Sequence, residues 1–160
     1  MDERDVAILK AISDLETGSP DKLHEETGIP VSTIHYRLNN LREAGVIEND
    51  LYDFDHEALG LDVTIILEVL ADYDGTSEEM QEDLLDIEGV TQVFFTMGET
   101  DFIVLARLPD SDSVEGIIAD FESIPEVDRT NSTFVVSTMR DESRAPATYD
   151  LETLTGALVD

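Results

Sequence analysis

Ser32, Thr33, His35, Tyr36, Arg37 and Asn40 crowd into one short stretch, and all can hydrogen-bond. An arginine fork fits O6 and N7 of guanine, and an asparagine amide fits N6 and N7 of adenine. Serine, threonine and tyrosine more often hold phosphate oxygens, and His35 suits a flanking or phosphate contact. Between them, Ile34, Leu38 and Leu41 fall at i, i+4 and i+7, the stripe of a helix buried on one side. The six polar residues would then lie on the other face or its flanks. A second group, Met97-Gly98-Glu99-Thr100-Asp101, has a different chemistry. Its glycine lets a ligand approach backbone N–H groups that can hold a carboxylate, and Glu99 or Asp101 can pair with an α-ammonium group. The plainer alternatives are a solvated helix face and an ordinary turn. Nothing near His35 supplies further ligands at zinc spacing, so neither a metal nor a cofactor is expected.

The elements that would position these groups follow from pattern. Asp2 is a plausible N-cap, and Ile8, Leu9, Ile12 and Leu15 recur at helical spacing up to Gly18. Ser19 and Pro20 open a second helix that runs to Thr27, with Gly28 as the turn. A third helix begins near Pro30 and stops at Gly45. Residues 19–44 thus read as a helix-turn-helix, whose second helix enters the DNA major groove. Residues 46–55 have the makings of a small β-wing, and 56–61 of a linker.

From Leu61 the period becomes two, with Val63, Ile65, Leu67 and Val69 alternating as in a strand. Thr76 and Glu79 resemble a capping box ahead of Met80, Leu84 and Ile87. Strands follow near 90–98 and 101–109. Asp112 and Glu115 suggest another cap, before a helix carrying Val114, Ile117, Ile118, Phe121 and Ile124. Residues 127–139 alternate again. The order is β-α-β-β-α-β, a ferredoxin-like plan. The spacing of Leu84, Ile87 and Val90 returns in Phe121, Ile124 and Val127, as an internal repeat would require. Residues 93–106 are apolar on both faces, so the uncovered side of the sheet is expected to meet a symmetric partner. In the tail, 140–160, Leu151, Leu154 and Leu158 suit a last short helix or a frayed end. The expected domains are therefore 1–55, a linker at 56–61, 62–139, and the tail at 140–160.

Composition bounds the function. The 160 residues hold 38 acidic and 9 basic side chains, a formal charge of -29, and no cysteine. Disulfides, thiolate metal sites and cysteine nucleophiles are excluded. No apolar run is long enough to span a bilayer, and MDERDVAILK has no signal-peptide pattern, so a cytoplasmic protein with no membrane partner is expected. The acids are spread along the whole chain. Self-repulsion of this size is nearly abolished at molar salt, where the Debye length is about 3 Å, which points to a salt-filled cytoplasm. Residues 1–60 carry -9 and residues 61–160 carry -20, so the end with the helix-turn-helix is the less negative.

Several segments together resemble the leucine-responsive and asparagine-synthesis regulator family (Lrp/AsnC). These are MDERDVAILKAI, GIPVSTIHYRLNNLREAGVI, LGLDVTIILEV and FFTMGETDFIVLARL, spread over residues 2–139. The resemblance implies an α+β protein: an N-terminal winged helix-turn-helix, then a ferredoxin-like βαββαβ ligand-sensing domain of the RAM or ACT type. It implies a transcriptional regulator of double-stranded DNA and not an enzyme. Its effector would be small, usually an amino acid, bound at the seam between dimers of sensing domains. Thr130 and Ser132 would close the pocket from a neighbour. A homodimer, with further assembly to an octamer, is also implied. Two features depart from the family: Asn39 and Asn40 stand where basic residues are common, and Pro30 where a serine often caps. Siroheme decarboxylases resemble the same two-domain plan and are the enzyme alternative. The second domain here has no histidine and few arginines for a carboxylate-rich porphyrin. A sensing partner that joins related regulators without touching DNA is the third alternative.

Overall fold

The computed structural model describes residues 1–50, 53–71 and 78–159. Helix α1 (Glu3–Leu15) starts on a reciprocal cap. The Asp2 carboxylate accepts from the N–H groups of Arg4 (2.9 Å) and Asp5 (3.1 Å), while Asp5 accepts from the Asp2 N–H (2.9 Å). The helix ends earlier than Gly18: Glu16 takes the left-handed conformation (φ 52) that closes it. Helices α2 (Pro20–Thr27) and α3 (Val31–Glu43) follow. Ser19 stands at the N-cap of α2, but its side chain makes no capping hydrogen bond.

Ile8, Ala11, Leu23, Ile29, Ile34 and Leu38 form the core of this part. The expected wing is not formed by the described residues of 46–55, which pair in no ladder. The N–H groups of Val46 (2.9 Å) and Ile47 (3.2 Å) both return to the Leu41 carbonyl and close α3, which occupies the donors a strand would need.

The chain divides into two units, Met1–Tyr52 with Arg140–Asp160, and Asp53–Met139. In the first, a 3₁₀ turn (Ala145–Thr148) and helix α6 (Leu151–Leu158) pack against α1 and bury Leu154. Arg144 fastens the tail to the end of α1 by an ion pair with Glu16 at 3.1 Å. In the second unit, His56–Leu61 is a hydrogen-bonded turn ahead of the sheet.

That sheet contains β1 (Val63–Ala71), β2 (Val90–Phe95), β3 (Phe102–Leu108) and β4 (Val127–Phe134), in the order β2-β3-β1-β4. All three pairings are antiparallel. Helices α4 (Glu78–Asp86) and α5 (Asp112–Glu122) supply Met80, Leu84, Val114, Ile117 and Phe121 to one core with Ile65, Leu67, Val69, Val104 and Ala106. The order and connections are those of the ferredoxin-like plan. β2 and β4 are shorter than the alternation suggested, because each chain leaves the ladder at the turn or tail beyond it. Thr76 lies outside the described residues. The cap of α5 is supplied not by Asp112, which is helical, but by Asp110, whose carboxylate accepts from the N–H (2.8 Å) and hydroxyl (2.7 Å) of Ser113. Register places Ile66, Glu68, Leu70, Phe94, Ile103, Leu105 and Arg107 on the face opposite that core.

Candidate nucleic-acid interface and effector hairpin

The turn between α2 and α3 is fixed by one backbone conformation and two local hydrogen bonds. Gly28 is left-handed (φ 70), the His24 Nδ1–H donates to the Ile29 carbonyl (2.8 Å), and the Ile29 N–H donates to the Thr27 hydroxyl (3.2 Å). The carbonyl can only accept, so the His24 tautomer follows. Beyond the turn, α3 buries Ile34, Leu38 and Leu41 as its period required. Ser32, His35, Tyr36, Asn39 and Asn40 are exposed, and Tyr36 is the most prominent apolar surface of the helix at 66%. Thr33 is half-buried.

Arg37 is elsewhere. Its Nη1 donates to Asp2 and to Asp5, each at 2.7 Å, and only 17% of its side chain is exposed. The guanidinium is engaged by α1 and is not presented with the exposed row, so a guanine contact by Arg37 would require it to leave both acids. The same pattern recurs in this unit. Lys10 pairs with Asp14, and Arg42 grips both carboxylate oxygens of Asp50 at 3.0 and 3.1 Å. Of the basic residues in 1–60, Arg4 and Lys22 are left without an ion pair among the described residues.

The β2–β3 turn holds the second group. Met97, Gly98 and Glu99 are exposed, Met97 almost entirely. Thr100 and Asp101 are instead turned into the fold. The Thr100 hydroxyl and the Asp101 N–H both donate to the Val69 carbonyl at 3.0 Å, and Asp101 Oδ2 accepts from the Ala71 N–H at 2.8 Å. One Asp101 oxygen is therefore spent on holding the hairpin to the end of β1. Thr130 pairs with Val69 and Ser132 with Leu67. Thr130 thus flanks the strand residue to which the turn is stapled, and both side chains are half-buried. Two grooves among the described residues lie away from this hairpin. One, of about 490 Å³, runs between α1 and α6, and one, of about 480 Å³, between the ends of α4 and α5.

Residues 63–145 match the Lrp/AsnC ligand binding domain, and residues 1–48 match a winged helix-turn-helix DNA-binding domain. This chain belongs to the Lrp/AsnC family. It is a transcriptional regulator with a helix-turn-helix and a ligand-binding domain. The HTH-type transcriptional regulator FL11 of Pyrococcus horikoshii is 30% identical over 148 residues, covering 91% of this chain and 96% of its own. Among solved structures, an AsnC family regulator from Agrobacterium tumefaciens superposes with a TM-score of 0.82 at 19% identity, covering 93% of this chain and 99% of that one. A Neisseria meningitidis regulator solved with L-Met gives 0.79 at 21%, covering 90% and 95%. At that identity the structures establish the shared fold. These relatives are regulators, and none is a decarboxylase. No described helix is long and apolar enough to cross a membrane.

Proposed function

We propose that this Lrp/AsnC regulator reads its operator through Ser32, Thr33, His35, Tyr36, Asn39 and Asn40, and that a small amino acid tunes operator occupancy from the sensing domain. The observation that carries the DNA reading is one helix with two sides: Ile34, Leu38 and Leu41 inside, and a row of hydrogen-bonding side chains outside. Asn40 suits an adenine edge, and the hydroxyls suit phosphates. The effector reading is supported by the exposed Met97, Gly98 and Glu99 and by Thr130, which pairs with the Val69 that holds the turn, with Ser132 two residues further along β4. It is also supported by the L-Met bound to the Neisseria relative. Asp101 contributes its one remaining oxygen. Sensing domains would pair through the face bearing Ile66, Phe94, Ile103 and Leu105. That presents two recognition helices to successive major-groove turns of a palindromic site, and assembly to an octamer extends the same geometry. The acidic surface fits a salt-rich cytoplasm.

The experiment is genome-wide mapping of bound sites with and without a panel of amino acids, paired with a gel shift on the protein's own promoter in molar potassium salt. Occupancy that responds to an amino acid is expected, and Glu99→Gln should lose the response while operator binding persists. A protein that binds no duplex under any salt would leave the role of a sensing partner for other regulators.

A further inference from the structure

Arg37 lies in the middle of the recognition helix and is withdrawn from its exposed side. One nitrogen of its guanidinium, Nη1, bridges two carboxylates, Asp2 Oδ1 and Asp5 Oδ1, each at 2.7 Å. Those carboxylates are already occupied in capping α1, through Arg4 N–H, Asp5 N–H and Asp2 N–H. Without the cation, two like charges would face each other across the cap, a repulsive arrangement. With it, the start of α1 and the midpoint of α3 become a single hydrogen-bonded unit. The fold accepts a cost for this, since Arg37 Nε is buried with no partner among the described residues. The Asp2 carboxyl is held below its usual range, chiefly by the hydrogen bond from Arg37.

We infer that Arg37, Asp2 and Asp5 form a clasp that sets the angle of the recognition helix, so that Arg37 governs operator affinity as a positioning residue without touching DNA. The inference rests on the reading of α3 as the recognition helix. Geometry favours the clasp over a base contact. A bridging guanidinium that is mostly covered would have to abandon both acids to reach a base edge, leaving the pair uncompensated. The hydrophobic stripe holds the buried side of α3 but leaves rotation about that stripe to polar contacts, and the clasp fixes it from the flank.

The two roles predict opposite signs for one variant. Asp5→Asn loosens a clasp and should weaken operator binding about tenfold. It would release a base-reading arginine and strengthen binding. Arg37→Ala should weaken binding by a similar factor, and the double variant should be no worse than the worse single, because both remove the same unit. Arg37→Lys, which keeps the charge but cannot hold the same fork geometry, should recover part of the loss. Binding is measured by anisotropy over a salt series and over operators with single base-pair changes. A clasp leaves the base preferences of each variant unchanged. Tighter binding by Asp5→Asn, or relaxed preference at one base pair in Arg37→Ala, overturns the inference. Amide hydrogen exchange in the full chain supplies an independent reading should Arg37→Ala fail to fold or the wild type bind no operator. Arg37→Lys and Asp5→Asn should both raise exchange at residues 4–6 of α1 and along α3. Unchanged exchange in both variants overturns the clasp, whereas a wild type silent toward DNA with raised exchange in the variants counts against the DNA reading alone.

Discussion

Salt is the sharpest probe of this molecule. A protein that neutralises phosphates with lysine and arginine releases their counterions, and the slope of log affinity against log salt is about -0.9 for each phosphate neutralised. In residues 1–60 only Arg4 and Lys22 lack an ion pair among the described residues. Lys10, Arg37 and Arg42 have carboxylate partners. Exchanging a carboxylate for a phosphate frees an acid that recruits a cation from solution, so the net ion count hardly moves. Each helix-turn-helix can therefore release about two counterions at most, which puts the slope for a pair near -4 at its steepest. Acids carried close to the duplex take up cations and push the slope toward zero or above it. The assay is anisotropy of a labelled operator duplex titrated at potassium chloride concentrations from about 0.1 M upward, with the folded state checked at each point. A slope of about -6 or steeper would mean that more phosphates are neutralised than these residues can supply, and the charge reasoning would fail.

Gly89 is left-handed (φ +87), and a Cβ there would lie 2.6 Å from Leu108 Cδ2 and 3.1 Å from the Arg107 carbonyl. Gly89→Ala should cost about 2–4 kcal/mol from backbone strain and overpacking, read as a drop in the urea midpoint of the sensing domain, and an unchanged midpoint would refute the contact. Leu154→Ala should lower the stability of the helix-turn-helix unit by about 2 kcal/mol or more, because Leu154 is buried against that unit, and calorimetry of the full chain tests it. The carboxyls of Asp2, Asp110 and Glu142 are held low, by hydrogen bonds from Arg37, Ser113 and Arg144 respectively. Their stabilisation is complete above the ordinary carboxylate range, about pH 4–4.5, and is lost as pH falls through the lowered values. Glu142→Gln should flatten the acid limb of a stability–pH profile, and an unaltered limb would remove Glu142 from the account.

What the sequence made legible is what repeats at short range. Ile34, Leu38 and Leu41 are buried because 3.6-residue periodicity is written locally, and β1 buries Ile65, Leu67 and Val69 for the matching reason at period two. The paired spacing Leu84-Ile87-Val90 and Phe121-Ile124-Val127 marks the two helix-to-strand junctions, and both sets contribute to one core. Boundaries failed where a backbone group found a partner that no local rule ranks first. Glu16 and not Gly18 closes α1, Asp110 and not Asp112 caps α5, and Leu41 takes the N–H groups that a wing would have used.

Side-chain roles are harder to read. Residue type and neighbours pointed Arg37 and Asp101 toward outside partners, whereas in the structure Arg37 is engaged by acids far away in sequence and one oxygen of Asp101 by the backbone of β1. For Arg37 a signal existed. Asp2 and Asp5 sit three residues apart at the head of one helix, and two carboxylates so placed call for a cation. In a chain with 38 acids and 9 bases, carboxylates far outnumber the arginines they can pair with. An exposed arginine here cannot be assumed free. Neutral donors such as Ser32, Tyr36 and Asn40 escape that competition, which is what the proposed DNA reading requires, and Asn39 and Asn40 in place of the family's basic residues follow the same logic.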